Sequence, residues 1–405
     1  MNKMFFTKSS FASIFKRYAC YLLVLIALIM SITPSVNAAD KAKTNSPYIF
    51  VSGYCGWGQY DKMNDFMSYW GMRNGDLIEH LNAQGFDCYA ASVDPVGSAW
   101  DRACELYAQL TGTVVDYGFV HSTVYNHPRF GTDYSSNPLI TGWGANKKVN
   151  LIGHSFGGAT IRLLSALLAN GAQDEVDGTD GAVSGLFTGG KTDWINSITA
   201  LSSPHNGATI LDLPAKLLAL LTNDGGKVVG TINDGPIGLI NYFKSVFKVF
   251  NNGMGKDTGA YDLSLDGAAG LNEKIPTFSS IYYFSLPADS SSPARLSNNR
   301  FPNARLTDFA FWPSGLVIGI KRGVSTGGIV YGKSWLNNDG VTNTISCLAP
   351  KDAPQKAFDK NNVTPGIWQV MPTLQGDHLA ITGGLIREVD VKAFYVDHMN
   401  LINSL

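Results

Sequence analysis

Val149-Asn150-Leu151-Ile152-Gly153-His154-Ser155-Phe156-Gly157-Gly158 is the stretch on which the reading of the chain turns. Its first four residues form an apolar strand pattern, and the apolar-rich run over residues 160–168 reads as a helix, so a G-x-S-x-G segment joins strand to helix. In that context the serine rides on a strained turn at the edge of a sheet, and side chains at positions 153 and 157 would collide with neighbouring backbone. The helix N-terminus behind Ser155 offers donors and positive potential to a developing oxyanion. A serine hydroxyl needs a base, and the base an orienting carboxylate; here these are expected in the order serine, acid, histidine.

His378 and His398 lie far downstream. His378 follows the strand-like residues 366–371 in Gln375-Gly376-Asp377-His378, which places it on a loop at the sheet edge. His398 falls in the helical pattern over residues 391–401 and is expected at the surface, so His378 is the base. Asn338-Asp339-Gly340 is a turn that puts Asp339 on a loop upstream of His378. Turn chemistry alone leaves Asp339 equally a plain turn aspartate, with Asp352, Asp359 and Asp377 as rivals. The oxyanion donors are the amide of Phe156 and, from the glycine-rich loop Ser52-Gly53-Tyr54-Cys55-Gly56, that of Tyr54.

Outward from this centre the pattern alternates. Tyr48–Val51 reads as a strand, residues 76–83 as a helix, residues 88–93 as a strand, and Ser98 caps a helix with apolar periodicity over residues 103–110. Such β-α order predicts an α/β fold with a mostly parallel sheet covered on both faces. The 405 residues are 45% hydrophobic and 16% charged, which excludes a disordered chain or a coiled coil. Lys plus Arg number 31 against 32 for Asp plus Glu, with no basic tract, so nucleic acid is not an expected partner. Residues 174–190 read as a surface excursion and the leucine-rich residues 211–221 as a core helix or a lid.

The first 39 residues carry Lys3, Lys8, Lys16 and Arg17, then an apolar run over residues 18–32 and the small-residue site Val36-Asn37-Ala38. This is the order of a secretory signal peptide, which makes residues 40–405 one exported domain, extracellular or periplasmic. Cys55, Cys88, Cys104 and Cys347 then meet an oxidising compartment; no Cys-x-x-Cys pair occurs, and their pairing stays open.

Several blocks in order resemble the staphylococcal and thermophilic bacillus true lipases, α/β-hydrolases with a zinc-binding extra domain. They are Gly56-Trp57-Gly58, the SAWDRACELYAQL segment from Ser98, Val115-Asp116-Tyr117-Gly118, Gly153 to Gly158, the LFTGG segment from Leu186, Ser203-Pro204-His205-Asn206-Gly207, the block from Asp257, Asn338-Asp339-Gly340-Val341 and Gly366-Ile367-Trp368. The resemblance implies Ser155 as nucleophile, Asp339 as acid, His378 as base and a helical lid at about 205–225. It also implies a structural zinc held by Asp101, His121, His127 and Asp257, a closed set with no position for substrate. The implied activity is hydrolysis of long-chain acylglycerols at a lipid–water interface. An aliphatic polyester depolymerase, a short-chain carboxylesterase and an inactive binding protein on the same scaffold are the alternatives. Two departures stand out. Ser52-Gly53 replaces the family's His-Gly in the oxyanion loop, and Ala380 and Leu385 stand where the family has acidic calcium ligands, so that calcium site is expected to be absent.

Overall fold

A computed structural model describes residues 46–212, 255–384 and 389–405. The leader, residues 213–221 of the leucine-rich segment and Leu385 lie outside the described residues.

Seven strands build the central sheet: β1 (Tyr48–Val51), β2 (Cys88–Ala91), β3 (Val149–His154), β4 (Ile195–Leu201), β5 (Tyr282–Leu286), β6 (Gln355–Ala357) and β7 (Trp368–Val370). Their order is β6-β7-β5-β4-β3-β1-β2, and every neighbouring pair is parallel. The chain runs outward from β1 to β2, then returns to lay β3 on the other side of β1. Connections from adjacent β1 and β3 therefore leave in opposite directions, which opens a crevice at their carboxyl ends. The register sets Val51 beside Gly153, so the loop after β1 and the turn after β3 meet there.

Alternation along β1 assigns the two faces. Ile49 and Val51 join one core cluster with Ala103 and Leu106 of α2 (Ala99–Thr111) and Ile161 and Leu164 of α4 (Phe156–Asn170). Tyr48 and Phe50 join the opposite cluster with Leu77 and Leu81 of α1 (Leu77–Ala83) and Tyr395 and Met399 of α8 (Val391–Asn403). The sheet is thus covered on both faces, and its inner strands are almost continuously buried. Among the described residues there are also α3 (Phe119–Tyr125), α5 (Gln173–Gly178), α6 (Leu265–Lys274), α7 (Trp312–Ile320) and a single α-helical turn over Gly259–Asp262. The expected cap forms at Ser98, whose side chain accepts the Asp101 amide, and Asp76 caps α1 in the same way by accepting the Glu79 amide.

Three expectations need correction. His398 is buried, not at the surface: it lies on the apolar stripe of α8, its Nε2 is 2.8 Å from the Thr199 hydroxyl, and burial lowers its pKa to about 4. Residues 174–190 are not merely an excursion, since Glu175 of α5, Leu186 and Phe187 are buried. The second strand ends at Ala91, short of residue 93. Leu211 is buried in a single helical turn, Thr209–Asp212. None of the four described cysteines is in a disulfide. No helix among the described residues is long and apolar enough to cross a membrane.

Candidate active site

Between the end of β3 and the start of α4, Ser155 holds φ 54° and ψ −123°, a conformation that costs an L-residue strain. The glycines around it leave no room for alternatives. A Cβ at Gly153 would lie 2.5 Å from the Gly157 carbonyl carbon, and one at Gly157 would lie 2.2 Å from the Val51 oxygen. The loop after β1 presses on the serine itself, for a Cβ at Gly53 would stand 2.8 Å from the Ser155 Cβ. The Ser155 amide donates to the Leu201 carbonyl at 2.9 Å and its carbonyl accepts from the Ser203 hydroxyl at 2.6 Å, tying the turn to β4 and the residues after it.

Asp339 and His378 come together although 39 residues separate them. His378 Nδ1 is 2.8 Å from Asp339 Oδ2, and the His378 amide donates to the Asp339 carbonyl at 2.9 Å. The carboxylate also accepts the amides of Val341 (3.0 Å) and Thr342 (2.7 Å) and the Thr342 hydroxyl (2.9 Å). Burial by itself would raise the Asp339 pKa. The imidazole beside it and the two amides outweigh burial and hold it below the ordinary value. An ionised carboxylate on Nδ1 keeps the proton there and leaves the Nε2 lone pair available as a base. The rivals are placed otherwise. Asp352 and Asp359 are exposed, and Asp377 accepts the amides of Asp308 and Leu379, with burial raising it to about 6.

A buried chain ties the oxyanion loop to this histidine. Burial depresses His154 to about 3, so its ring is neutral. Its Nε2 faces the His378 carbonyl at 2.8 Å and must carry the proton, so Nδ1 accepts from the Tyr69 hydroxyl at 2.6 Å. The Tyr69 oxygen in turn accepts the Gly53 amide at 3.0 Å. On either side of Tyr54, then, the backbone amides are committed: Gly53 to Tyr69, and Cys55 to the Pro95 carbonyl at 2.8 Å. Phe156 opens α4, where first-turn amides lack intrahelical acceptors.

The four expected metal ligands also converge. One donor atom from each of Asp101, His121, His127 and Asp257 lies within 4.8 Å of every other. His121 Nε2 is 3.2 Å from both Asp101 Oδ1 and Asp257 Oδ1, and His127 Nε2 is 3.5 Å from Asp257 Oδ2. Ligand bonds of about 2.0–2.1 Å in a tetrahedron put donors about 3.3–3.4 Å apart, close to these values. Asp101 Oδ1, His121 Nε2, His127 Nε2 and Asp257 Oδ1 are buried, and none of them has a hydrogen-bond partner. Orphaned donors of this kind fit a shared cation. His127 Nδ1 donates to the Pro128 carbonyl at 2.9 Å, which turns the Nε2 lone pair toward the cluster. Burial opposes an imidazolium at His121, but the carboxylates of Asp101 and Asp257 prevail and raise it to about 9.

Sequence reasoning missed four residues that build these sites. Tyr69 and His154 form the buried relay, Arg102 clamps the oxyanion loop, and both oxygens of Glu175 hold the amides of Val120 (2.9 Å) and His121 (2.7 Å) at the start of α3. Arg102 had a signal: it shares a helical stripe with Ala99, Ala103 and Leu106, where a solvated cation has no place. Glu175, in a stretch of polar residues, had none.

These features match known proteins. Lipase 1 of Staphylococcus aureus (strain NCTC 8325 / PS 47) is 34% identical over 372 residues, covering 87% of this chain and 52% of that protein. Lipase 2 of the same species is 34% identical over 360 residues, covering 83% and 50%. The chain therefore spans about half the length of the curated relatives it matches. Among solved structures, EstA from Clostridium botulinum superposes with a TM-score of 0.77 at 32% identity, covering 92% of this chain and 90% of its own. Staphylococcus hyicus lipase gives 0.73 at 30%, covering 91% and 98%. The family model described as the lipase-like C-terminal domain matches residues 44–395, and the chain belongs to this lipase family, with its α/β-hydrolase fold.

Proposed function

We propose that this chain is an exported serine lipase that hydrolyses long-chain acylglycerol esters through an acyl-enzyme on Ser155. The observation that carries the reading is the buried Asp339–His378 pair at 2.8 Å, tied through the His378 carbonyl to His154, the residue before the strained turn of Ser155. His378 Nε2 takes the Ser155 proton as Oγ attacks the ester carbonyl, and the amides of Tyr54 and Phe156 receive the oxyanion. The C–O bond then breaks, the departing glyceride alkoxide takes the proton from His378, and the acyl group stays on Ser155. Water, deprotonated by His378, releases the fatty acid. A fluorophosphonate should label the protein once per chain, on Ser155; unlabelled protein, or label elsewhere, would sink the assignment. In this reading residues 1–39 are the removed signal peptide.

The lipid–water interface as partner is supported by an apolar face beside the site. Phe309, Trp312, Leu316 and Ile320 are 69%, 36%, 42% and 44% exposed, the last three one turn apart on α7. The Ser314 hydroxyl of the same helix donates to the Gly340 carbonyl at 2.5 Å, so the face borders the Asp339 loop. Burying one such side chain is worth about 1.5–3 kcal/mol. The triple substitution W312S/L316S/I320S should therefore lower hydrolysis of an emulsion by about 10-fold or more and leave a soluble short-chain ester within about two-fold. Equal losses on both would remove α7 from the interface.

Asp101, His121, His127 and Asp257 suit zinc, which would act as a structural cross-link between α2, α3 and the segment around Asp257. Chelation should lower Tm by about 5–10 °C and zinc should restore it. The metal must displace the His121 proton, so its affinity should rise with pH toward about 9, the raised value of that group, and its binding at neutral pH should release protons. Calorimetry in buffers of different ionisation enthalpy measures this; identical heats in all buffers would contradict it.

A further inference from the structure

We infer that Arg102 is a positioning residue through which the metal centre holds the oxyanion pocket in shape. The inference rests on the serine-esterase reading above and on two contacts that leave the metal ligands and end on the two oxyanion residues.

The first runs through α2. Asp101 and Arg102 are successive residues in its first turn, and their side chains go separate ways. Asp101 meets the His121 and Asp257 donors. Arg102, fully buried, donates to the carbonyls of Ser52 (2.5 Å), Gly53 (3.3 Å) and Asp94 (3.1 Å) and to the Thr160 hydroxyl (3.0 Å). Ser52 and Gly53 immediately precede Tyr54, and the guanidinium also lies 4.8 Å over the Phe156 ring. A planar fork of donors suits this task, since it fixes several carbonyls at once where an ammonium would fix fewer. It also accounts for the tolerance of Ser52 where the family has histidine, because the loop is anchored through its carbonyls.

The second runs through the segment that carries Asp257. Two residues on, the Gly259 amide donates to the Val96 carbonyl at 3.0 Å, and a Cβ at Gly259 would stand 2.7 Å from the Phe156 ring and 3.0 Å from the Tyr54 ring. Asp262 closes the loop by accepting the Ala99 amide, at the start of α2, at 2.7 Å. Both walls of the oxyanion pocket therefore back onto chain that a cation would hold together. Without the cation, Asp101 and Asp257 are like charges at close range that push α2 and this segment apart. Oxyanion donors act only at about 2.7–3.1 Å, so slack here weakens the transition state and spares ground-state binding.

The test compares chelated and zinc-reloaded full-length protein below the melting temperature of the chelated form, with near-UV circular dichroism confirming that both are folded. A soluble short-chain ester gives kcat and KM, and a trifluoromethyl ketone, which adds to the serine as an oxyanion, gives affinity. Chelation is expected to lower kcat about 10-fold or more with KM within two-fold, and to weaken the ketone by the same factor. Arg102→Lys should do likewise, and chelating that variant should add less than about two-fold, since both act on one element. If Arg102→Lys does not fold, Gly259→Ala, which presses on both rings, carries the same readouts. A loss of Tm with kcat and ketone affinity unchanged, or effects of variant and chelator that simply multiply, would overturn the inference. Failure of the serine reading shows separately, as turnover that survives Ser155→Ala.

Discussion

Ser155→Ala is expected to abolish ester hydrolysis, with kcat falling by about 10⁶-fold, while the protein keeps its fold. The size follows from the chemistry: without Oγ no acyl-enzyme forms, and what survives is only the acceleration that the oxyanion donors and binding give to attack by water. The fold should survive because the strained turn is held through its backbone, by Leu201 and Ser203, and by the glycines packed around it. An alanine Cβ fills the place of the serine Cβ against Gly53. Tm should shift by no more than a few degrees, and a pH-stat assay beside a thermal melt reads both quantities. A variant retaining a tenth of the activity would remove Ser155 from the mechanism.

Asp339→Asn should cost about 10⁴-fold in kcat, with KM little changed. The asparagine oxygen can keep the amides of Val341 and Thr342, so the loop should hold its shape. Its amide group, however, donates where the carboxylate accepted, which moves the His378 proton to Nε2 and blocks the lone pair that Ser155 needs. The sign with pH follows from the same contact. Asp339 is held below its ordinary 3.8, so the stability it contributes is present above that value and is lost only as pH falls through its lower folded value. Asp377→Asn is the contrast: that carboxylate serves the amides of Asp308 and Leu379, and its loss should leave kcat within about 10-fold. Comparable losses in the two variants would mean that the acid had been assigned to the wrong loop.

Much of the centre was legible before the structure, for local reasons. A strand, a G-x-S-x-G turn and a helix are each encoded within a few residues, and so is the cap at Ser98. The pairing of Asp339 with His378 is not local. Turn chemistry puts Asp339 forward among several aspartates and family resemblance strengthens that choice, whereas the metal ligands, whose convergence joins residues 101 and 257, come from the resemblance alone. The polarity of His398 points to the surface, but its spacing from Val391, Tyr395 and Ile402 puts it on the buried stripe. Glu175 was out of reach altogether, since a carboxylate that accepts two amides from a distant helix leaves no pattern in its own neighbourhood.

Lipase activity is read by the initial hydrolysis rate of emulsified long-chain triacylglycerol beside a soluble short-chain ester, with Ser155→Ala as control. Rapid hydrolysis of the emulsion is expected, and it should disappear in the variant. Activity confined to the soluble ester would contradict lipase activity and make this protein a carboxylesterase or a polyester hydrolase.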